Sequence, residues 1–242
     1  CKNKWTCGFR TTRYNHFLRG QYGWFCRRLW KLFNKGRKLT AGEEKLNPEK
    51  TALLLCDLQN DFLHPDGAYG RNGMSKPEIS ALPDRLKPLA DKIRSKNGWV
   101  ISTHFTLVEG KNGTPFISEH LRELRPFLGE GDFKSGSWGH DIIDTLSPVD
   151  IKIEKIAFSA FYMSRLDWVL KKTGIDNLIF AGIVTNGGVA STLRDAHVRD
   201  YNSFLLSDGC AAFNLDTHET AVAALAPVAE ICTCSKILER LV

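Results

Sequence analysis

An aspartate at the end of an apolar run is the first residue in this sequence with the potential for chemistry. Asp57 closes the run at residues 51–57. Burying an ionisable carboxyl at the end of a strand costs free energy, so such a group is usually paired with another polar group or has a functional role. The structural alternative is that Asp57 caps the turn that follows, which aspartate does well. Asn60 or Asp61 would serve that turn equally well, so Asp57 is left available for another role.

Lys155 is the second candidate, because it directly follows a predicted strand at residues 150–154. A lone lysine is most often a solvated surface group, but this one precedes a stretch of apolar and small residues. If both strands belong to one parallel sheet, Lys155 and Asp57 leave it at the same edge. A buried Asp–Lys pair keeps both groups charged, and it can hold a substrate carbonyl or orient a proton donor.

A glycine-rich turn is the third candidate. The predicted strand at residues 177–184 runs into this turn and then into a helical pattern. Backbone N–H groups at the start of a helix can bind a developing oxyanion. The candidate donors are Val184, Thr185, Gly187 and Gly188. The alternative is a tight strand–helix turn that needs glycine only for its shape.

Alternating strands and helices are predicted to position these residues. Six candidate strands lie at residues 51–57, 99–105, 150–154, 177–184, 202–208 and 229–234. Helical patterns lie at about 79–96, 160–173, 187–200, 216–226 and 235–241. This alternation predicts a Rossmann-like, three-layer α/β/α fold around a mostly parallel six-stranded sheet. Ligands of such sheets bind just beyond the carboxyl ends of the strands.

Residues 106–149 form a loop-rich excursion with one short helix near 116–127. Such a long excursion in a compact domain is usually functional. Aromatic side chains in loops are candidates for ligand contact, although core packing is the alternative for each of them. The residues expected to contact a substrate are Gln59, Asn60, Phe62, Trp138 and Phe158.

These pieces together resemble the isochorismatase-like cysteine hydrolase family over residues 50–234. The motifs that carry the resemblance are Asp57-Leu58-Gln59-Asn60-Asp61-Phe62, Lys155 with Ser159-Ala160-Phe161, Gly182-Ile183-Val184-Thr185-Asn186, and Thr192-Leu193-Arg194-Asp195-Ala196. Segments 63–68 and 134–138 look most like the ureidoacrylate amidohydrolase branch. The resemblance implies a hydrolase of a small polar metabolite that uses no cofactor and forms a homo-oligomer.

Glycine stands where the resemblance places the family's nucleophile. In the family's amidohydrolases an Asp deprotonates a Cys, an adjacent Lys completes the triad, and the thiolate attacks an amide or ureido carbonyl. Asp57 and Lys155 match the first two positions, and Gly188 stands at the third. Cys56 is expected to point to the opposite side of its strand. Cys210 is expected after the next strand, so neither thiol replaces the missing one.

Two functions remain open. In the first, Asp57 and Lys155 act with water as the nucleophile on a C–N amide or ureido bond, or on a vinyl ether. Isochorismatases resemble this fold, lack the cysteine and use the Asp as an acid with water. In the second, the chain is a catalytically inactive family member that binds a small ligand or serves an oligomeric or scaffold role. The retained charge pair favours the first.

No metal is expected. Nicotinamidase-like relatives hold a metal with an Asp-x-His segment after the second strand. The corresponding segment here reads Thr103-His104-Phe105-Thr106-Leu107 and contains no aspartate. Four histidines of the body are scattered without ligand spacing: His64, His104, His120 and His140.

Positive charge is concentrated at the N-terminal end. Residues 1–50 hold thirteen Lys and Arg against three Glu, a net of +10, while the whole chain carries +6. The remainder therefore has a net charge of −4, which does not favour nucleic-acid binding. Residues 1–48 are predicted to be a basic, aromatic extension, and residues 49–242 the hydrolase domain.

Residues 17–34 predict a basic amphipathic helix within this extension. Its apolar positions are Leu18, Tyr22, Phe25, Leu29, Leu32 and Phe33. Three interpretations stay open: packing on the main domain or a neighbouring subunit, contact with a membrane surface, and organelle targeting. The seven cysteines form no CxxC pair and no signal-peptide pattern is found. A cytoplasmic protein is therefore expected, with organelle targeting as the alternative.

Overall fold

The computed structural model describes residues 45–241 of the 242-residue chain. The amphipathic helix predicted at residues 17–34 lies outside the described residues. The compact unit begins at Lys45, four residues before the predicted boundary at residue 49. Leu46 explains the difference, because its side chain is buried in the core and its backbone forms a parallel bridge with Leu241.

Six parallel strands form one sheet in the order β3-β2-β1-β4-β5-β6. They are β1 (Thr51–Cys56), β2 (Trp99–Phe105), β3 (Ile151–Lys155), β4 (Asn177–Ile183), β5 (Asn202–Ala211) and β6 (Glu230–Cys232). The strand order reverses between β1 and β4, and open α/β sheets bind ligands at such a switch point. The predicted six-stranded α/β fold is confirmed.

Helices cover both faces of the sheet. They are α1 (Asn60–Leu63), α2 (Pro77–Ser80), α3 (Leu82–Ser95), α4 (Glu119–Leu124), α5 (Leu166–Thr173), α6 (Ala190–His197), α7 (Leu215–Leu225) and α8 (Cys234–Arg240). The core on one face includes α3 and α8, and the core on the other includes α5 and α6. In the described part of the chain, no helix has the length and apolar character needed to span a membrane.

The central strands are apolar because both of their faces are buried. Every residue of β1 is buried, and β4 is buried from Leu178 to Ile183. Continuous apolar runs are typical of parallel strands that are covered by helices on both sides. The two strands lie side by side in the sheet, and their carboxyl ends open on the same edge.

Two predicted element boundaries are corrected by the structure. β5 extends to Ala211, so Cys210 lies inside this strand rather than after it. The register between β4 and β5 shifts between Phe180 and Gly182, and such irregularities let a strand continue past a local distortion. The helix predicted at residues 187–200 begins instead with a π-helical turn at Thr185–Val189, followed by the shorter α6.

Candidate active site

Asp57 lies at the switch point of the sheet, directly after β1. Its φ of 56° is positive, which is uncommon for a residue other than glycine. Its backbone N–H donates to the carbonyl of Thr103 at 3.1 Å. Beside it, Gly182 of β4 has a φ of 115°, and a Cβ there would lie 2.1 Å from the carbonyl oxygen of Cys56. Only glycine allows β4 to approach β1 so closely at this point.

Lys155 forms the predicted pair with Asp57. Its Nζ lies 2.8 Å from Asp57 Oδ2, and the two side chains are 2% and 7% exposed. The ammonium group also donates to the carbonyl of Ala157 at 3.0 Å, and it lies 5.6 Å from the ring centroid of Phe105. These contacts fix Lys155 at the end of β3 with its charge directed at the carboxylate.

Thr103 completes the environment of Asp57. Its Oγ1 donates to Asp57 Oδ1 at 2.8 Å, so each carboxylate oxygen receives one hydrogen bond. Burial raises the pKa of Asp57, while Lys155 and Thr103 act in the opposite direction, and the balance leaves this pKa above its ordinary value. The carboxyl group can therefore exchange a proton at a higher pH than an exposed aspartate.

Gly188 faces the same carboxylate. A Cβ at this position would lie 3.2 Å from Asp57 Oδ2, 3.4 Å from the carbonyl oxygen of Ile183 and 3.5 Å from that of Phe158. A side chain at position 188 would therefore point at Asp57, as the predicted third position of a triad requires. All three neighbouring oxygens accept hydrogen bonds, so the space beside Gly188 suits a small group that donates them.

One of the predicted oxyanion donors forms a hydrogen bond within the glycine turn itself. The N–H of Gly187 donates to the carbonyl of Val184 at 2.9 Å. This N–H therefore maintains the shape of the turn and is not available to an oxyanion. The backbone N–H groups of Val184, Thr185 and Gly188 remain candidates.

Gln59 and Asn60 hold the surrounding loops through their side-chain amides. Gln59 is fully buried, and its Nε2 donates to the carbonyls of Phe105 and His140 at 3.0 and 2.9 Å. Asn60 is 3% exposed, and its Nδ2 donates to the carbonyl of Trp138 at 2.8 Å. Both amides tie the segment after β1 to the loop at residues 138–141, and their predicted contact with a substrate stays a prediction.

The predicted aromatic contacts differ in position. Phe158 is 66% exposed, and its ring lies 3.8 Å from the Cβ position of Gly187, so it borders the turn. Phe62 is partly buried, with ring centroids of Tyr69 and Phe133 at 4.8 and 4.5 Å.

Trp138 is 52% exposed, and its ring lies edge-on to His64, with 4.9 Å between the centroids. Phe158 is therefore the predicted aromatic residue whose ring the structure brings to the glycine turn.

His104, near the end of β2, is bound within the protein. The carbonyl of His140 lies 2.8 Å from His104 Nδ1. Because a carbonyl only accepts, that nitrogen carries the proton, and Nε2 accepts from the Ser102 hydroxyl at 2.7 Å. Burial lowers the pKa of His104 to about 4, so its imidazole is neutral. Within residues 45–241, no group of three or more His, Cys, Asp or Glu side chains is arranged to hold a metal.

The cysteines of the described range are poor nucleophiles. Cys56 is buried against the core that includes α5 and α6, and burial, followed by the nearby charge of Asp57, raises the pKa of its thiol far above the ordinary value. Burial likewise raises the pKa of Cys210 well above its usual range. A buried thiol with a raised pKa does not form the reactive thiolate.

Two cavities open away from the charge pair. One of about 390 Å³ lies between α6 and α7 and is lined by Arg194 and Asp216 among others. Another, of about 500 Å³, is lined by residues that include His140 and Lys152. Neither cavity is lined by the side chains of Asp57 and Lys155. The contacts of Asp57, rather than a cavity, therefore indicate the catalytic site.

Comparison with known proteins assigns the chain. A family model described as the isochorismatase domain matches residues 51–236, which span all six strands of the sheet. The chain belongs to the isochorismatase family. The relatives named as enzymes are hydrolases, so the comparison supports a hydrolase.

Two curated relatives are ureidoacrylate amidohydrolases named RutB. The protein from Acinetobacter baylyi is 33% identical over 191 residues, which cover 72% of this chain and 77% of the relative. The protein from Caulobacter vibrioides is 30% identical over 197 residues, covering 71% of this chain and 86% of the relative.

A solved cysteine hydrolase from Pseudomonas syringae pv. phaseolicola has a TM-score of 0.70 at 24% identity, covering 84% of this chain and 98% of that one. At this identity the structural match supports the fold.

Residues remote in sequence complete the site, and sequence reasoning missed them. Thr103 and His218 were not among the predicted site residues. Thr103 stands opposite Cys56 in the register of β1 and β2, so its pairing with Asp57 follows once the strand order is known. His218 lies on α7, where only its contact with Thr185 at 2.8 Å reveals that it supports the glycine turn.

Proposed function

We propose that this isochorismatase-family chain hydrolyses a small polar metabolite with Asp57, Lys155 and a water molecule. The proposal rests on one observation: Asp57 Oδ2 lies 3.2 Å from the position that a Cβ of residue 188 would occupy. The carboxylate that would serve a thiol in the family's triad therefore faces the space that a side chain at residue 188 would enter. Water in that space can donate a hydrogen bond to Asp57, as a thiol would.

The residues would divide the reaction as follows. Asp57 takes a proton from the water as its oxygen attacks the carbonyl carbon of the substrate. Lys155 holds the carboxylate in place and keeps it ionised. Backbone N–H groups of Thr185 and Gly188 would bind the oxyanion. The C–N bond then breaks, and Asp57 returns the proton to the leaving nitrogen, so that the products are an acid and an amine.

A C–N bond is preferred to a vinyl ether as the bond cleaved. Both curated relatives carry the name ureidoacrylate amidohydrolase, and a ureidoacrylate has a ureido carbonyl and a carboxylate. Arg125 is the cation that we propose for such a carboxylate. Its Nε donates to the hydroxyl of Tyr69 at 3.0 Å, and its guanidinium carbon lies 5.1 Å from the ring centroid of Phe213. These contacts hold the guanidinium beside Tyr69 and Phe213.

Gly188 itself favours a second candidate function. In this second function, the chain keeps the fold for binding a small ligand or for an oligomeric role, with no turnover. In that case the charge pair would serve recognition or stability alone. The two functions differ in a single measurable property, the conversion of a substrate.

Turnover of a small panel decides between them. The panel contains ureidoacrylate, simple amides and carbamates, and isochorismate, and products are followed by mass spectrometry. We expect turnover by the native chain and its loss in Asp57→Asn. Removal of one catalytic group of this kind lowers kcat by roughly 10²-fold or more. Asp66→Asn is the matched control, because the Asp66 side chain is 85% exposed.

Two results would contradict the proposed mechanism. If neither the native chain nor Asp57→Asn converts any member of the panel, while Gly188→Cys gains amide hydrolysis, the water mechanism is wrong. The chain would then be a hydrolase scaffold without its own chemistry. Equal turnover in the native chain and Asp57→Asn would also contradict the proposed role of Asp57.

A further inference from the structure

A threonine–histidine contact lies at the start of the glycine turn. Thr185 is fully buried, and its Oγ1 lies 2.8 Å from Nδ1 of His218 on α7. The other ring nitrogen of His218 lies 3.0 Å from the carbonyl oxygen of Ser207 in β5. One imidazole thus connects three elements: the turn after β4, α7 and β5.

The direction of these hydrogen bonds follows from the acceptor at one end. The carbonyl of Ser207 can only accept, so Nε2 of His218 carries a proton. In the neutral ring, Nδ1 is then the acceptor, and the hydroxyl of Thr185 must donate to it. The pair resembles a base and a hydroxyl nucleophile, but the buried Thr185 side chain is directed at α7, where its hydroxyl is engaged by His218. The contact between Thr185 and His218 therefore holds the turn.

A second threonine fixes the other end of the turn. The Oγ1 of Thr192 donates to the carbonyl of Gly188 at 2.7 Å and accepts from the N–H of Ala160 at 3.0 Å. The loop that carries Ala160 follows Lys155 and is also held by the hydrogen bond between Ser159 and Asp195. The glycine turn is thus restrained at both ends by buried hydroxyl groups.

We propose that His218 is a positioning residue for the active site and that it acts through Thr185. Two successive glycines give the turn more backbone freedom than any other pair of residues. Oxyanion donors stabilise a transition state only when their geometry is preorganised. The Thr185–His218 contact restricts that freedom where the neighbouring backbone N–H groups must point at the substrate. This proposal rests on the proposed hydrolytic function of the same site.

Amide hydrogen exchange of Gly187 tests the proposal without requiring turnover. The full chain is labelled with ¹⁵N-glycine, and exchange of Gly187 is compared with that of Gly98. The N–H of Gly98 is bonded to Ile93 at 2.9 Å, remote from the turn in sequence, as that of Gly187 is bonded to Val184 at 2.9 Å. We expect His218→Leu to raise the exchange rate of Gly187 roughly ten-fold, through local opening of the turn, with Gly98 unchanged.

Thr185→Val removes the same hydrogen bond from the other side and should have the same effect. Thr185→Ser keeps the donor hydroxyl and should leave exchange at the native rate. His197→Leu, a histidine at the end of α6, is the matched control and should also leave it unchanged. Unaltered exchange of Gly187 in His218→Leu and Thr185→Val would overturn the proposal. So would a parallel rise at Gly98, because that indicates a loss of global stability.

Turnover forms a separate arm of the experiment. On a substrate identified from the panel, His218→Leu should lower kcat roughly 10- to 100-fold with KM unchanged, as expected for misplaced transition-state donors. His197→Leu should retain native kcat. A native chain that converts no substrate contradicts the proposed function, and the exchange of Gly187 then still decides whether His218 positions the turn.

Discussion

Asp57 is controlled by its nearest neighbours one side chain at a time. Burial raises its pKa, and the Lys155 ammonium and the Thr103 hydroxyl both oppose that rise. Lys155 contributes charge, whereas Thr103 contributes only one hydrogen bond, at 2.8 Å. Thr103 is therefore the position at which the proton affinity of Asp57 can be changed without altering the charge of the site.

Thr103→Val should move the acidic limb of the pH–rate profile to higher pH. The substitution removes a donor that lowers the pKa of Asp57, so this pKa rises further. Because the base works only as a carboxylate, activity is lost as the pH falls through the raised pKa. The measurement is kcat/KM against pH for the substrate found in the panel. Thr103→Ser is the control and should keep the native limb. An unmoved limb in Thr103→Val would show that the hydroxyl does not set the pKa of Asp57.

Residue types at strand ends predicted part of this site. Lys155 ends one strand, and Asp57 and Gly188 follow two others. The edge of a parallel sheet necessarily brings such positions together. The direction of a side chain within a loop is a different matter. Gln59 follows the same strand as Asp57, yet its amide turns toward β2 and bonds Phe105 and His140. That choice depends on backbone groups far away in sequence, which a local pattern does not contain.

At the scale of elements, serine side chains explain where a helix begins. The pattern at residues 160–173 predicts one helix, but α5 begins only at Leu166. The hydroxyl of Ser159 accepts from the N–H of Phe161 at 3.2 Å, and that of Ser164 accepts from Leu166 at 3.0 Å. Such local bonds compete with helix formation. The strands were predicted more accurately, because burial on both faces leaves a continuous apolar run.

The end of β2 should make the fold sensitive to acid. His104 has a folded-state pKa of about 4 against an ordinary value of 6.5. The unfolded chain therefore binds a proton at a higher pH than the folded one. The free energy of unfolding should fall as the pH drops from 6.5 to about 4. The measurement is urea denaturation over a pH series.

Replacing this histidine isolates its contribution. His104→Gln removes the titrating group, so its stability should fall less steeply over the same pH interval. His120→Gln, at an exposed position of α4, is the matched control and should keep the native slope. Identical slopes in His104→Gln and the native chain would refute the assignment.

At the scale of the whole molecule, the two ends of the described unit meet. Leu46 is 4% exposed and pairs with Leu241, which is equally buried. The N–H of Leu46 also donates to the carbonyl of Arg240 at 2.9 Å. The segment before β1 is therefore part of the core, although its sequence, next to a strongly basic stretch, predicted an extension.

Leu46→Ala should destabilise the fold by about 2–5 kcal/mol, the range typical of a buried leucine replaced by alanine. The free energy of unfolding in urea is the measurement. Leu124→Ala is the matched control, because Leu124 is 50% exposed and its truncation should change stability little. A cost below about 0.5 kcal/mol, typical of surface substitutions, would place Leu46 outside the cooperative unit.

The basic extension remains the proposed contact of the molecule with other partners. Residues 17–34 combine cationic and apolar positions, a composition that favours anionic membrane surfaces. Deletion of residues 1–44 should abolish sedimentation with anionic lipid vesicles and leave the described unit folded. Unchanged vesicle binding would exclude this contact. The homo-oligomer implied by the family resemblance is tested on the same two chains by sedimentation velocity.

A hydrolytic site without a thiol has a further consequence for oxidative chemistry. Peroxide converts a thiolate nucleophile to sulfenic acid and beyond, but it does not attack a carboxylate, an ammonium group or glycine. The cysteines between residues 45 and 241 are buried, and burial raises the pKa of each of their thiols. An enzyme built on Asp57 and water would therefore continue to work during oxidative stress that silences a thiol-dependent hydrolase. With glycine at position 188, such an enzyme would have a weaker nucleophile than a thiolate but would resist oxidation.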